Sequence, residues 1–263
     1  MGHILNTALT MTALLGVFCG CDKDDPTPDP QIRTNSTYAI VVGMETSKFA
    51  GSCDGAGYDA DRMYNLFTNY TPNVVKMRDG NGTKANVAKA FADAIEKAGK
   101  DGLVIFYYSG HGGSDPFKDT GIEEDDGKDE YLCLYDTYMR DNEIWNIISK
   151  SKGRICLIFD CCHSQTMMRS PSFRVIPPLT WDHTMTDSVP FSMLCWSGCP
   201  DDTYSYGSAT GGQFTNALLR HFNANKTYEQ LWTDIKNDRT LRRFENPQST
   251  VLGNGFEGKA VFK

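Results

Sequence analysis

Two short stretches about fifty residues apart hold side chains that could do chemistry together. The first reads Ser109-Gly110-His111-Gly112-Gly113 and the second Asp160-Cys161-Cys162-His163-Ser164. Each follows an unbroken apolar run, Leu103–Tyr108 in one case and Ile155–Phe159 in the other. Residues two apart in an extended chain point the same way, so Ser109 shares a side with His111, and Asp160 with Cys162. A hydroxyl, an imidazole, a carboxylate and a thiol would converge on one cleft. A Cys beside a His is a nucleophile with its base, the arrangement of acyl transfer through a covalent intermediate. The glycines around His111 let the backbone approach a substrate and leave bare N–H donors for an oxyanion. Asp160 does not help the thiol, because a neighbouring carboxylate raises a thiol pKa and opposes the thiolate. It makes more sense as a group that binds a cation on the substrate. Blander readings exist: a lone Cys is usually buried and inert, a lone His structural, and Cys161-Cys162-His163 could be half a zinc site. No second Cys/His pair has metal spacing, and the two strand-end stretches together favour catalysis.

The elements that must carry these residues follow from pattern. Tyr38–Gly43, Val74–Met77, Leu103–Tyr108, Ile155–Phe159 and Ser192–Trp196 read as short strands. The long runs do not alternate, which is the mark of strands buried on both faces in a parallel sheet between helices. Tyr58–Asn69 places Met63, Leu66 and Phe67 at helical spacing. Thr83 is an N-cap residue for a helix burying Val87, Ala90, Phe91, Ala94 and Ile95. Gln213–His221 and Tyr228–Ile235 read as further helices. The alternation predicts a three-layer α/β/α sandwich with a mostly parallel central sheet and its site at the strand C-termini.

With these residues quoted, a resemblance becomes specific. Ser-Gly-His-Gly and Asp-x-Cys-His-Ser on consecutive strands resemble the caspase-like cysteine peptidases, metacaspases in particular. Gly57-Tyr58-Asp59-Ala60 with Met63 and Leu66 is similar to the metacaspase first-helix motif. Ser197-Gly198-Cys199-Pro200-Asp201-Asp202 resembles the segment that opens the small subunit, and Gly212-Gln213-Phe214-Thr215 the helix behind it. The likeness covers roughly residues 38–250. It implies the caspase-like fold and endopeptidase activity on a peptide or protein substrate, with Cys162 as nucleophile and His111 as base. The N–H groups of Gly112 and Cys162 would be the oxyanion donors, and Cys161 would face the core. It further implies that Asp59, Ser109 and Asp160 line an S1 pocket for Arg or Lys. Caspases carry an Arg six residues before the first-helix acid; here that position is Cys53, so a preference for Asp at P1 is not expected. One departure is Gln165, where the family usually has Gly. A clostripain-like or gingipain-like relative, and a catalytically silent surface protein that binds a partner, are the alternatives. No cofactor is needed for the chemistry.

The run Glu123-Glu124-Asp125-Asp126-Gly127-Lys128-Asp129-Glu130 precedes a strand at Tyr131–Leu134. As charge runs go it reads first as a solvated loop. It also offers oxygen ligands for calcium, which takes six to eight of them. In the calcium-dependent metacaspases the matching ligand positions are Asp129 and Asp141, a third that is Asn142 here, and a fourth that is Arg169 here. Self-cleavage, if it occurs, is expected between Gln165 and Pro190, a stretch rich in Ser, Thr and Pro that reads as a surface loop. Arg169 and Arg174 are its only basic Arg or Lys residues.

The chain has 263 residues, 40% of them hydrophobic and 22% charged, enough for one substantial core. Its net charge is −7, and residues 115–130 alone hold eight acids and two lysines. The remainder is close to neutral, with no basic surface for nucleic acid. The first twenty residues contain no Lys, Arg, Asp or Glu, and Ile4–Cys19 is largely apolar, short for a span and right for a signal segment. Phe18-Cys19-Gly20-Cys21 followed by Asp22-Lys23-Asp24-Asp25 resembles a bacterial lipoprotein signal, with Cys21 lipidated and the acidic run similar to a surface-export signal of Bacteroidetes lipoproteins. Residues 1–20 are thus expected to be a signal peptide, 21–37 a Pro/Asp linker and 38–263 the peptidase domain, exported and held at the cell envelope by a lipid. In polyproline geometry Asp22–Ser36 would reach about 45 Å. Seven cysteines lie beyond the signal segment, so at least one is unpaired; Cys195 and Cys199 could pair.

Overall fold

Two apolar cores, one on each side of a single sheet, account for the unbroken hydrophobic runs. The computed structural model describes residues 36–115, 129–162, 175–176, 183–185, 189–198 and 207–263. In chain order the first elements are β1 (Thr37–Gly43), α1 (Ala56–Thr68), β2 (Asn73–Arg78), α2 (Lys84–Ala98), β3 (Leu103–Ser109), β4 (Gly112–Asp115), β5 (Asp129–Cys133) and β6 (Tyr138–Arg140). There follow α3 (Asp141–Ile148), β7 (Arg154–Asp160), β8 (Val175–Ile176), β9 (His183–Met185) and β10 (Ser192–Ser197). The last are β11 (Gly207–Ser208), β12 (Gly211–Gly212), α4 (Gln213–His221), α5 (Tyr228–Lys236) and β13 (Gln248–Leu252).

The main sheet has eight strands in the order β2-β1-β3-β7-β10-β13-β9-β8. β2, β1, β3, β7 and β10 run parallel, as the apolar runs predicted. β13 returns antiparallel to β10, so the sheet is mixed beyond that point. β9 and β8 lie within the stretch that reads as a plain surface loop in the sequence; β9 pairs parallel to β13 and β8 closes the edge. β4, β5 and β6 form a separate antiparallel sheet beside the end of β3.

Alternate residues of each central strand enter opposite cores. Val41, Ile105, Tyr107, Cys156, Ile158 and Trp196 pack with Met63 and Phe67 of α1, Phe214 and Leu218 of α4, and Trp232 of α5. Val42, Val104, Phe106, Tyr108, Leu157 and Phe159 pack with Val87 and Phe91 of α2 and Ile144 of α3. This is the three-layer α/β/α sandwich, and it fixes direction at the strand ends. Ser109 shares the parity of Tyr107 and Asp160 that of Ile158, so both turn toward α1 and α4. Thr83 caps α2 as expected, its hydroxyl accepting from Asn86 N at 3.3 Å. Ala90 is only half-buried, at the margin of the α2 face. The helix α3 was not anticipated. The six described cysteines from Cys53 to Cys195 are free thiols, and Cys199 lies outside the described residues.

Candidate active site

The chain reverses direction in the sheet between β1 and β3, since β2 lies to one side of β1 and the later strands to the other. Crevices beyond the carboxyl ends of strands at such a point are where ligands sit in open α/β sheets. A cavity of about 410 Å³ opens there, lined by Cys53, Asp59, Ser109, His111, Gly112, Asp160 and Cys162 among others. All six residues singled out from the sequence for catalysis, oxyanion binding and S1 recognition therefore meet at one place. Cys161 is only 1% exposed and belongs to the α2-side core, whereas Cys162 is half-buried at the cavity. That difference follows from parity.

His111 is held from two directions. The Tyr108 hydroxyl lies 2.7 Å from the His111 carbonyl and 2.9 Å from that of Cys133, and Cys133 N donates to His111 O at 2.9 Å. The ring Nε2 stands 3.1 Å from Ser52 O. A carbonyl only accepts, so this contact requires the proton on Nε2 and leaves Nδ1 as the basic nitrogen. Gly112 packs against the backbone of Cys162: a Cβ there would lie 2.4 Å from the Cys162 carbonyl oxygen. Any side chain would force the two backbones apart.

The acid end of the cavity is built by α1, β7 and the turn before α4. Asp59 sits on the same face of α1 as Met63 and Phe67 and is fully buried. Its Oδ2 accepts from Ser109 Oγ at 3.0 Å and Gly212 N at 2.8 Å, and its Oδ1 accepts from Arg62 Nη2 at 2.5 Å. Burial, then repulsion from Asp160, pushes the Asp59 carboxyl up to about 7, against the lowering pull of Gly212 N–H and Arg62. Asp160 Oδ2 accepts from Thr215 N at 2.8 Å and from its hydroxyl at 2.6 Å. The Tyr107 hydroxyl lies 2.6 Å from Thr215 Oγ1 and completes the chain of bonds. Cys53, standing where caspases have an Arg, is a neutral thiol, pushed up to about 12 by burial and then by Asp160. Three aspartates (54, 59 and 160) and no Lys or Arg line the cavity among the described residues.

Several of these groups were not found from the sequence. Arg62 stands three residues after Asp59, an i,i+3 pairing visible in the helix pattern. Thr215 and Gly212 lie in the stretch that carried the resemblance, but their bonds to the two acids need the fold. Ser52 and Asp54 left no local signal.

The calcium ligands fare differently. Asp141 and Asn142 open α3, and Asp141 Oδ1 accepts from Asn142 N at 2.7 Å. The side chain of Asp129, and all of Arg169, lie outside the described residues. Among the described residues no group of three or more His, Cys, Asp or Glu is arranged to hold a metal ion. Of the expected positions, the described residues thus give one neutral amide at Asn142 and one buried carboxylate at Asp141 that bonds to its own helix. Cys21, the expected signal segment and the expected linker up to residue 35 also lie outside the described residues, while Thr37, the last residue of that expected linker, already belongs to β1.

Comparison with known proteins shows which chains this one resembles. Metacaspase-1 of Emericella nidulans is 26% identical over 225 residues, covering 63% of this chain and 55% of that protein. Metacaspase-1 of Pyricularia oryzae is 26% identical over 284 residues, covering 82% of this chain and 71% of that protein. The chain thus spans little more than half the length of the first of these relatives. Two solved structures share the fold. A Geobacter sulfurreducens protein superposes with a TM-score of 0.66 at 24% identity, over 86% of this chain and 98% of that one. Caspase-1 from Spodoptera frugiperda gives 0.53 at 14% identity, over 88% and 97%. The caspase domain family matches residues 36–249, most of the sequence, and the chain belongs to that family.

Proposed function

We propose that this protein is a cysteine endopeptidase that cuts peptide bonds after Arg or Lys. The observation that carries the reading is the one cavity lined by a half-buried thiol, an imidazole and three carboxylates, with no Lys or Arg among the described lining residues. In the reaction, His111 Nδ1 takes the proton of Cys162 Sγ, and the thiolate attacks the scissile carbonyl. The N–H groups of Gly112 and Cys162 receive the oxyanion. The imidazolium then protonates the leaving amine, giving a thioester that water hydrolyses with His111 again acting as base. The contact of Nε2 with Ser52 O supports this assignment, because it keeps the proton on Nε2 and leaves Nδ1 as the nitrogen free to act as base.

The cation of the P1 side chain is recognised by charge. Asp59 and Asp160 repel each other in a desolvated cavity, and a guanidinium or ammonium relieves that repulsion. An acidic P1 side chain would add a further negative charge to the cavity. Matched fluorogenic peptides with Arg, Lys, citrulline, Leu or Asp at P1 test the assignment. Cleavage of Arg and Lys peptides is expected, and preferential cleavage after Asp or Leu would overturn it.

Export to the cell envelope on a lipidated Cys21 is the reading of residues 18–25. Incorporation of labelled palmitate that is abolished by Cys21→Ser would support it, and a freely released product would refute it.

A further inference from the structure

The carboxylate of Asp59 is bound inside the protein before any substrate arrives. Its partner, Arg62, is one turn further along α1 and three-quarters buried, its side chain 23% exposed. Arg62 is anchored at several points. Nη2 donates to Asp59 Oδ1 at 2.5 Å, and Nη1 donates to Asn216 Oδ1 on α4 at 2.7 Å. The guanidinium carbon lies 4.5 Å from the centre of the Tyr58 ring. Gly211, with φ +94°, closes over the pair: a Cβ there would meet Asp59 Oδ1 at 2.1 Å and Arg62 Nη2 at 2.3 Å. Arg62 is not among the residues lining the cavity, so it meets the pocket only through Asp59.

We propose that Arg62 is a specificity-setting positioning residue: a built-in counter-ion that favours the ionised form of Asp59 behind the S1 cavity, so that the pocket accepts a cationic P1 side chain at lower pH than it would without Arg62. This rests on the reading of the cavity as an S1 site for Arg or Lys. Two carboxylates sharing a desolvated pocket cannot both ionise cheaply, and one of them takes a proton unless a fixed cation offsets the repulsion. A protonated Asp59 would remove one of the negative charges of the cavity, which Asp54 and Asp160 also line. A cation placed in the cavity itself would compete with the substrate. Arg62 avoids this by approaching Asp59 from the α4 side, on the oxygen opposite to the one bonded by Ser109. Asn216 and Tyr58 hold the fork in that orientation.

The test compares wild type, Arg62→Lys, Arg62→Gln and Asn216→Ala on peptides with Arg or citrulline at P1, with kcat and KM measured across pH. Citrulline has the shape of Arg without its charge, so the Arg/citrulline ratio of kcat/KM isolates the pocket charge from the titration of the dyad. In Arg62→Gln the midpoint at which this ratio rises should move up by about one pH unit or more, raising KM for the Arg peptide roughly tenfold at neutral pH. KM should recover in alkali, kcat should hold, and the citrulline peptide should be little affected. Arg62→Lys, which keeps the charge, should stay near wild type. Asn216→Ala, which only loosens the fork, should show a smaller shift in the same direction, and it decides the matter if Arg62→Gln does not fold. An unmoved midpoint, an equal loss on both peptides, or Arg62→Lys behaving like Arg62→Gln would each overturn the proposal. The wild-type ratio is read separately: if wild type cleaves citrulline as well as Arg, the S1 reading fails first and this inference falls with it.

Discussion

Asp160 and Thr215 are bonded twice, Oδ2 of the one accepting from both the N–H and the hydroxyl of the other at 2.8 and 2.6 Å. The helix α4 has Gly212 at its N-cap and so no side-chain cap of its own. The carboxylate at the end of β7 supplies that cap from a different element. A residue that lines the cavity therefore also fixes the helix that closes its acid end, and Gly212 at the start of that helix donates to Asp59.

Asp160→Asn keeps an oxygen for Thr215 but removes the charge. Losing one charge-assisted partner of a desolvated ion costs about 2–5 kcal/mol, which is a fall of roughly 30-fold or more in kcat/KM for Arg peptides. The loss should be far smaller on citrulline peptides, and equal losses on both would mean that Asp160 acts only through α4.

Cys162→Ala should abolish cleavage and covalent labelling by iodoacetamide at the site, while Cys161→Ala should retain most activity. The two differ by parity: Cys161 is buried in the α2-side core, and Cys162 lines the cavity. Removing the Cys161 sulfur should cost stability of about 1 kcal/mol, visible as a lowered melting temperature. An inactive Cys161→Ala beside an active Cys162→Ala would reverse the assignment.

Gly112→Ala should lower kcat by about a hundredfold or more, the typical effect of losing one oxyanion donor, with KM little changed. The cause is steric, because the new Cβ would fall 2.4 Å from Cys162 O and force the N–H off its line. Single-turnover acylation rates on the folded variant measure this directly.

Asp238 tests the scaffold rather than the site. Its Oδ1 accepts from Thr240 N and Leu241 N, while Oδ2 accepts from Arg220 and from His221 Nε2 at 2.8 Å. Burial pushes its carboxyl up, but the Leu241 N–H, Arg220 and His221 outweigh this and bring it down to about 2. A carboxyl depressed in the fold stabilises above its unfolded pKa, and that stability fades as pH falls toward the folded value. The contribution at neutral pH is about 2 kcal/mol. Asp238→Asn should be less stable than wild type at neutral pH, with the gap closing on acidification in urea titrations.

The legibility of the sequence was uneven for physical reasons. Parallel strands buried on both faces leave a long apolar signature, so Leu103–Tyr108 and Ile155–Phe159 could be read nearly to their ends. Their C-terminal polar residues then stood out as site candidates. Gln213–His221 was equally clear because its apolar face recurs at helical spacing. By contrast α3 is only eight residues long, too short for its apolar spacing to stand out. β13 carries no pattern that reveals its antiparallel return. Thr215 and Gly212 touch the acids only because a chain more than fifty residues further on comes back to β7, which no local signal encodes. Arg62 was within reach of an i,i+3 reading; what the sequence could not supply was that Asp59 is buried and needs it.

The pH dependence of P1 selection is the sharpest consequence of that burial. The Asp59 carboxyl, raised to about 7 by burial and by Asp160, is part neutral and part ionised at neutral pH. A carboxyl raised in the fold favours the folded state as the acid, so its contribution to stability declines as pH climbs from about 4 to about 7. Binding a cationic P1 side chain has the opposite preference, because only the carboxylate attracts it. The Arg/citrulline ratio of kcat/KM should therefore rise with pH through about 7, by up to about tenfold between one unit below and one unit above, as the ionised fraction grows. Stability and selectivity then move in opposite directions over the same window. Asp59→Asn should flatten the rise and leave the ratio low at every pH, with the dyad's own titration still visible on the citrulline peptide alone. A wild-type ratio that is flat across this range, or an Asp59→Asn ratio that still climbs, would show that a different group governs recognition of the P1 charge.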